Sequence, residues 1–211
     1  MRQPQTTTGV GVLDKAMAIV DLCARAPANG SHIARELDMT VPTAHRLANA
    51  LVAHGLLRRD PDGRFHLGSR LVAAQMTEFA GSVLTRLTKE INETSQLWVP
   101  RGDVRVCTVS VEGDTELRVS LPVGSSLAMS EGGSAAAALQ GRLGPEGWAE
   151  SVSQRTVGLA SVSAPVHVRG EAVAAVCVIV PVPRVTTSPG QMYGRKVVTA
   201  AAEIASAAAA G

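Results

Sequence analysis

Only Asp38 and Met39 separate two short runs with helical spacing, and that gap constrains the chain more than any other feature. So brief a connection leaves room for nothing but a tight turn, so Ser31–Leu37 and Val41–His54 must pack together as a helix-turn-helix. In the second run Ala44, Leu47, Ala48 and Leu51 recur at i, i+3, i+4 and i+7, the pattern of a buried helical stripe. Pro42, His45, Arg46 and Asn49 fall on the opposite side, with Thr43 at its flank. Thr40 is placed to cap this helix with its hydroxyl, and Pro42 lies in the first turn, where a missing N–H costs little. In the first run Ser31 stands as the cap before Ile33, Ala34 and Leu37. Behind both runs, Leu56–Arg59 and Arg64–Leu67 flank Asp60-Pro61-Asp62-Gly63, whose Pro, Asp and Gly supply the fixed and positive φ values of a hairpin turn. Helices, tight turn and arginine-flanked hairpin in this order predict a winged helix-turn-helix whose polar face enters a DNA groove.

The totals set the rest of the frame. Hydrophobic residues make up 45% of the 211 and aromatics 2%, so the cores must be filled with small aliphatic side chains. No run of about 18 uncharged apolar residues exists and the N-terminus lacks an apolar signal core, which predicts a cytoplasmic protein with no membrane contact. Cys23, Cys107 and Cys177 are odd in number, far apart and surrounded by apolar neighbours, the pattern of buried thiols and not of a disulfide framework or a zinc site. No metal and no cofactor is expected. Residues 1–70 hold nine Lys/Arg against six acids, and residues 71–211 eleven against twelve. The positive end is the end with the helix-turn-helix, as phosphate contacts require.

Along the chain, residues 1–8 read as a disordered arm, 9–68 as the DNA-binding domain, 69–80 as a linker helix and 81–211 as a second domain. The opening helix, Val12–Ala26, places Leu13, Ala16, Val20 and Cys23 on one stripe before Pro27-Ala28-Asn29-Gly30 stops it. After the wing, helices over Ser69–Phe79 and Gly81–Thr94 break at Ala80-Gly81, and Leu71, Val72 and Met76 suit packing within the chain or against a second copy. Strands follow over Gln96–Val99, Asp103–Val111 and Glu116–Leu121. Gly132-Gly133-Ser134 then leads into an alanine-rich helix, Ala135–Leu139, a place where free N–H groups attract an anion such as a carboxylate; a flexible loop explains the same residues. Gln140–Glu150 is turn-rich, with room for a short helix near Trp148. Val157–Val168 and Ala172–Val182 form a hairpin about Arg169-Gly170-Glu171, prolines 181, 183 and 189 end it, and Val197–Ala210 closes the chain as a helix. The second half is therefore an α+β, sensor-like domain.

The two halves together resemble the IclR family of bacterial transcription regulators. The resemblance rests on Val12-Leu13-Asp14-Lys15-Ala16, Ile33-Ala34, Thr43-Ala44-His45-Arg46-Leu47 and Gly63-Arg64-Phe65-His66-Leu67-Gly68 in the first half. In the second it rests on Val123-Gly124-Ser125-Ser126-Leu127, on Gly158-Leu159-Ala160-Ser161-Val162-Ser163-Ala164-Pro165-Val166 and on Val173-Ala174-Ala175-Val176. Some details are similar to actinobacterial members that regulate amino-acid and nitrogen metabolism. The resemblance implies an α+β chain of two domains: an N-terminal winged helix-turn-helix and a C-terminal GAF-like effector-binding domain joined by a linker helix. It also implies a homodimer or tetramer on a palindromic double-stranded DNA operator, repressing or activating under a small metabolite effector, often a carboxylate. DNA-binding positions correspond to Pro42, Thr43, His45, Arg46 and Asn49, with Arg58, Arg59 and Arg64 on the wing. Effector-binding positions correspond to Leu127, Met129, Gly132, Gly133, Ser134, Ser161, Cys177 and Ile179. The span Gln140–Arg155 is about twenty residues shorter than the family's usual segment, which implies a reduced lid over the pocket. Cys177 and Ile179 stand where a small hydroxyl residue is common, so the walls suit a branched-chain amino acid or its keto acid better than glyoxylate.

Other classes remain in view. An enzyme using Ser134 or Cys177 would need a partnered histidine, and the chain holds neither G-x-S-x-G nor H-E-x-x-H, so no catalytic residue is expected. A redox-responsive regulator sensing through Cys107 or Cys177, and a regulator that binds DNA without an effector, are the alternatives within the DNA-binding class.

Overall fold

The computed structural model describes residues 8–116, 118–119 and 121–210. The chain divides into two compact units, Met1–Val72 and Ala73–Gly211. The arm expected over residues 1–8 lies outside the described residues apart from Thr8, whose hydroxyl donates to Asp14 Oδ1 at 2.6 Å.

The first unit holds α1 (Gly11–Arg25), α2 (Gly30–Glu36), α3 (Val41–Ala53) and a hairpin of β1 (Leu57–Arg59) with β2 (Phe65–Leu67). Its core is Ile19, Val20, Cys23, Ile33, Ala34, Ala44, Ala48, Leu51, Leu57 and Phe65, with Leu47 and Leu71 packed at the margin. Three small residues, Ala34, Ala44 and Ala48, let α2 and α3 approach across the short turn. Thr40 caps α3 as expected, accepting from the Thr43 N–H at 3.4 Å. Two details differ from expectation. Asn29, not Ser31, caps α2, because its side chain reaches the His32 N–H at 2.8 Å. Leu13 is 50% exposed and does not join the α1 stripe, which runs through Ile19, Val20 and Cys23. The hairpin pairs Leu57 with Leu67 and Arg59 with Phe65.

In the second unit a six-stranded antiparallel sheet has the order β5-β4-β3-β8-β7-β6. The strands are β3 (Thr94–Arg101), β4 (Val104–Val111), β5 (Ser126–Ala128), β6 (Ala149–Val152), β7 (Leu159–Val168) and β8 (Glu171–Pro181). Beyond Glu171, β8 is wholly apolar because it lies at the centre of the sheet, between β3 and β7. Arg169 and Gly170 both take positive φ, 52° and 83°, the pair that a tight two-residue hairpin between β7 and β8 demands. α5 (Ser134–Leu139) covers the face of β7 and β8 that carries Ser161, Ser163, Ala175, Cys177 and Ile179. α6 (Pro189–Ala210) packs along β6, β7 and β8, burying Val197, Ala201 and Ile204.

Four expectations for this half are corrected. The helices expected on either side of Ala80-Gly81 are one, α4 (Ser69–Ile91). Met76, Ala80, Val83, Leu84 and Leu87 bury one continuous stripe, and Thr85 Oγ1 donates to the Gly81 carbonyl at 2.7 Å; these outweigh the roughly 1 kcal/mol a helical glycine costs. The strand expected at Glu116–Leu121 does not form among its described residues, and β5 pairs with β4 in its place. No helix forms near Trp148. Its indole lies on α6, where a Cβ at Gly190 or Gly194 would come within 2.3 or 2.5 Å of the ring, and the following residues become β6. α6 itself begins at Pro189, not Val197, because Ser188 Oγ accepts the Gln191 N–H at 3.1 Å and proline suits the first turn.

Candidate functional site

Two sites arise, one in each unit. In the first, the face of α3 away from the core presents Pro42, Arg46 and Asn49 to solvent. Thr43 is half-buried, its hydroxyl accepting from Thr40 Oγ1 at 2.9 Å, so it fixes the start of the helix as well as flanking the face. The wing is held by one carboxylate. Asp60 accepts the Arg64 N–H at 2.8 Å and pairs with His66 Nε2 at 2.7 Å. The His66 hydrogen bond, then the Arg64 backbone bond, hold the Asp60 carboxyl below the usual carboxylate range. Arg64 is exposed and, with His32 and Arg35 of α2, lines a hollow beside the wing. Arg59 turns back on its own hairpin, donating to the Gly63 carbonyl at 3.3 Å and lying 5.5 Å over the Phe65 ring.

The expectation that His45 reaches outward does not match its placement. Its ring is half-buried, edge-on to Phe65 with centroids 6.2 Å apart, and a Cβ at Gly30 would come 2.3 Å from its Nε2. Gly30 has no side chain where the imidazole sits. His45 therefore bridges α3, α2 and the wing, and Pro42, Arg46 and Asn49 are the residues of this face that stay exposed.

In the second unit, Ser134 Oγ lies 2.7 Å from Ser161 Oγ, 2.8 Å from Ser163 Oγ and 3.9 Å from Cys177 Sγ. Ser151 Oγ extends this chain, 3.0 Å from Ser161. Ser134 and Ser163 are buried, whereas Ser151 and Ser161 are half-exposed, so the hydroxyl chain runs from solvent to the interior. Gly132 and Gly133 have φ of 72° and 87°, which side chains rarely adopt, and Gln154 closes over them with Oε1 accepting the Gly133 N–H at 3.1 Å. Trp98, Cys107, Cys177, Ile179, Leu127 and Leu159 form the apolar wall. Met129 is half-buried and donates its N–H to the Asp103 carbonyl at 2.8 Å. α5 has six residues, too short for a useful dipole. Arg105 on β4 is buried close to its start. It is 2% exposed, donates to the Ala128 carbonyl at 2.7 Å and the Gly132 carbonyl at 2.8 Å, and lies 5.5 Å over Trp98.

The cysteines are free and buried. Burial pushes the Cys23 thiol up to about 11 and Cys107 to about 12, and raises Cys177 as well, so none is poised as a thiolate.

Residues 12–61 match the IclR helix-turn-helix domain. The three helices and the first wing strand of this unit thus resemble the IclR helix-turn-helix domain. The HTH-type transcriptional regulator BhcR of Paracoccus denitrificans is 28% identical over 135 residues, covering 59% of this chain and 48% of that protein. The chain therefore spans about half the length of this curated relative. Among solved structures, IclR of Thermotoga maritima superposes with a TM-score of 0.56 at 19% identity, covering 95% of this chain and 99% of that one. An IclR-family regulator from Rhodococcus sp. gives 0.60 at 20% identity, covering 98% and 96%. HmgR of Pseudomonas aeruginosa gives 0.55 at 17%, covering 95% and 98%. The fold of the IclR regulators thus extends over nearly the whole chain, an N-terminal helix-turn-helix followed by a C-terminal domain built on a sheet. No helix among the described residues is long and apolar enough to cross a membrane.

Against this IclR frame, the structure brings Gly132, Gly133, Ser134, Ser161, Cys177 and Ile179 together around one hydroxyl cluster, with Leu127 at its wall. It adds Ser163, Ser151, Gln154 and Arg105, which sequence reasoning passed over. The signal for Arg105 was present: a charge placed two residues before the apolar Cys107 on the same side of β4.

Proposed function

We propose that the chain is an effector-responsive transcription regulator that binds a palindromic operator as a dimer, through the outer face of α3 and the wing. The observation that carries this reading is the solvent-facing set Pro42, Arg46 and Asn49, directly opposite the buried Ala44–Ala48–Leu51 stripe of an IclR-type recognition helix. Arg46 and Asn49 have the donors and acceptors to read base edges, while Arg58 and Arg64 on the wing and Arg35 at the neighbouring hollow neutralise phosphates. A handful of side chains is modest for specific binding, and two half-sites supply the remainder. Exposed Val10, Leu13 and Met17 form an apolar strip on α1, in keeping with a partner copy. The hydroxyl cluster beside Arg105, walled by Trp98, Leu127 and Ile179, suits a small carboxylate with an aliphatic tail, such as a branched-chain amino acid or its keto acid.

Genome-wide footprinting of the full chain supplies the operator, and gel-shift titration of that fragment with and without millimolar aliphatic 2-oxo acids tests the response. A palindromic footprint whose occupancy changes with the acid supports the reading. Occupancy indifferent to every acid would leave a regulator without an effector.

A further inference from the structure

The Arg105 side chain is an unusual occupant for the interior of a sheet domain. Among the described residues two of its five N–H donors have partners, the carbonyls of Ala128 and Gly132, and its Nε is buried with none. No carboxylate pairs with it among the described residues. Glu131 favours the charged guanidinium without pairing with it, its Oε1 accepting the Ala128 N–H at 2.8 Å, and the positive charge of Arg155 works against the guanidinium. A buried charge without a paired counter-charge is costly, and removing such groups in favour of apolar ones commonly leaves a protein as stable or more so. Folding alone therefore does not account for an arginine here.

Its two carbonyl partners frame the 3-10 turn Met129–Glu131, so the guanidinium holds the strand that leads to Gly132, Gly133 and Ser134. Beyond it lies the Ser134–Ser161–Ser163 hydroxyl cluster, which reaches solvent through half-exposed Ser161 and Ser151. Trp98, Leu127 and Ile179 belong to the apolar cluster that also holds Cys177, 3.9 Å from Ser134, and the guanidinium lies over Trp98. A monocarboxylate has a group of matching chemistry for each of these: a bidentate oxygen pair for the unused guanidinium N–H groups, an acceptor or donor at C2 for the hydroxyls, and an aliphatic tail for the apolar residues.

We propose that Arg105 is the anion-binding, specificity-determining residue of this site, taking the carboxylate of a small aliphatic 2-oxo or 2-amino acid. The assignment rests on the effector reading above and names the group that performs it. Entry of the carboxylate supplies the counter-charge that the fold withholds, and because the same guanidinium holds the carbonyls of Ala128 and Gly132, binding is felt directly in the 3-10 turn.

The test uses the full chain with 4-methyl-2-oxopentanoate, leucine and pyruvate as probes, and 3-methylbutanol as a tail without a carboxylate. Calorimetry and thermal melting are read for wild type, R105M and R105K. Wild type should bind at least one acid and not the alcohol. R105M should lose roughly ten- to hundredfold in affinity, the weight of a charge-assisted pair, while melting without ligand no lower than wild type. R105K, which keeps the charge but not the planar fork, should lose less, and it carries the test if R105M fails to fold. Wild-type affinity retained in R105M or R105K overturns the assignment while leaving the effector reading intact. A wild-type protein that binds none of the acids overturns both.

Discussion

The packing of His45 against Gly30 makes a quantitative prediction about the first unit. A methyl group at Gly30 would come 2.3 Å from Nε2 and 2.5 Å from Cε1 of the imidazole, closer than any real contact, so G30A must displace the ring. Overpacking of this kind costs about 1–3 kcal/mol. Alanine at a helical position returns up to about 1 kcal/mol of that, and less here because Gly30 is the first residue of α2. H45A alone removes the edge-on contact with Phe65, worth about 0.5–1.5 kcal/mol, together with some burial. In the double variant the clash is gone, so G30A in an H45A background should be neutral or slightly stabilising. The two sites should therefore couple by about 1–3 kcal/mol in a double-mutant cycle. Trp98 and Trp148 both lie in the second unit, so their fluorescence is blind to this change. Hydrogen exchange of the α2 and α3 amides, read by mass spectrometry, is the suitable assay, with tenfold in protection for each 1.4 kcal/mol or so. If G30A costs the same whether or not His45 is present, the ring does not occupy the space above Gly30 and the inward placement of His45 is wrong.

Three further outcomes follow from the same geometry. G68A would drive a Cβ to 2.2 Å from the Gly55 carbonyl oxygen, where backbone cannot yield, and should destabilise the first unit by about 3 kcal/mol or more; exchange protection near wild type would contradict this. Because the folded Asp60 pKa is depressed, the stability it lends the wing is present above the ordinary carboxylate range near about 4 and is lost as pH falls through the depressed value. The difference in wing protection between wild type and D60N should accordingly shrink in acid, and a difference constant with pH would speak against the Asp60–His66 pair. With thiols raised to about 11 and 12, Cys23 and Cys107 should resist dithionitrobenzoate until the protein unfolds, and diamide should leave DNA binding unchanged; rapid labelling of the native chain would restore the redox alternative.

What could be read from the sequence was whatever depends on local spacing. The Ala44–Ala48–Leu51 stripe, the Thr40 cap and the wing turn each involve residues within a few positions, and each appears in the structure where periodicity put it. The serine cluster was half legible, since Ser134 and Ser161 lie on recognisable segments, but Ser163 and Ser151 join them only through the β6–β7–β8 register. Arg105 was missed because its one local signal, sharing a side of β4 with the apolar Cys107, does not distinguish a strand arginine that faces solvent from one that is buried over Trp98. Gly81 misled for the opposite reason, a poor helix residue overruled by the apolar stripe on either side of it. His45 looked like surface by helical angle, and only the absence of a side chain at Gly30, in another helix, makes room for it inside.

The central claim is that the outer face of α3 reads sequence while the wing supplies charge. Its most direct measurement is the ratio of affinities for the footprinted operator and a scrambled duplex of equal length, at fixed salt, for wild type, R46A and R64A. R46A should lower the ratio by about 1–3 kcal/mol, whereas R64A should weaken binding to both duplexes alike and leave the ratio in place. Equal losses on both duplexes from both variants would contradict direct readout by α3.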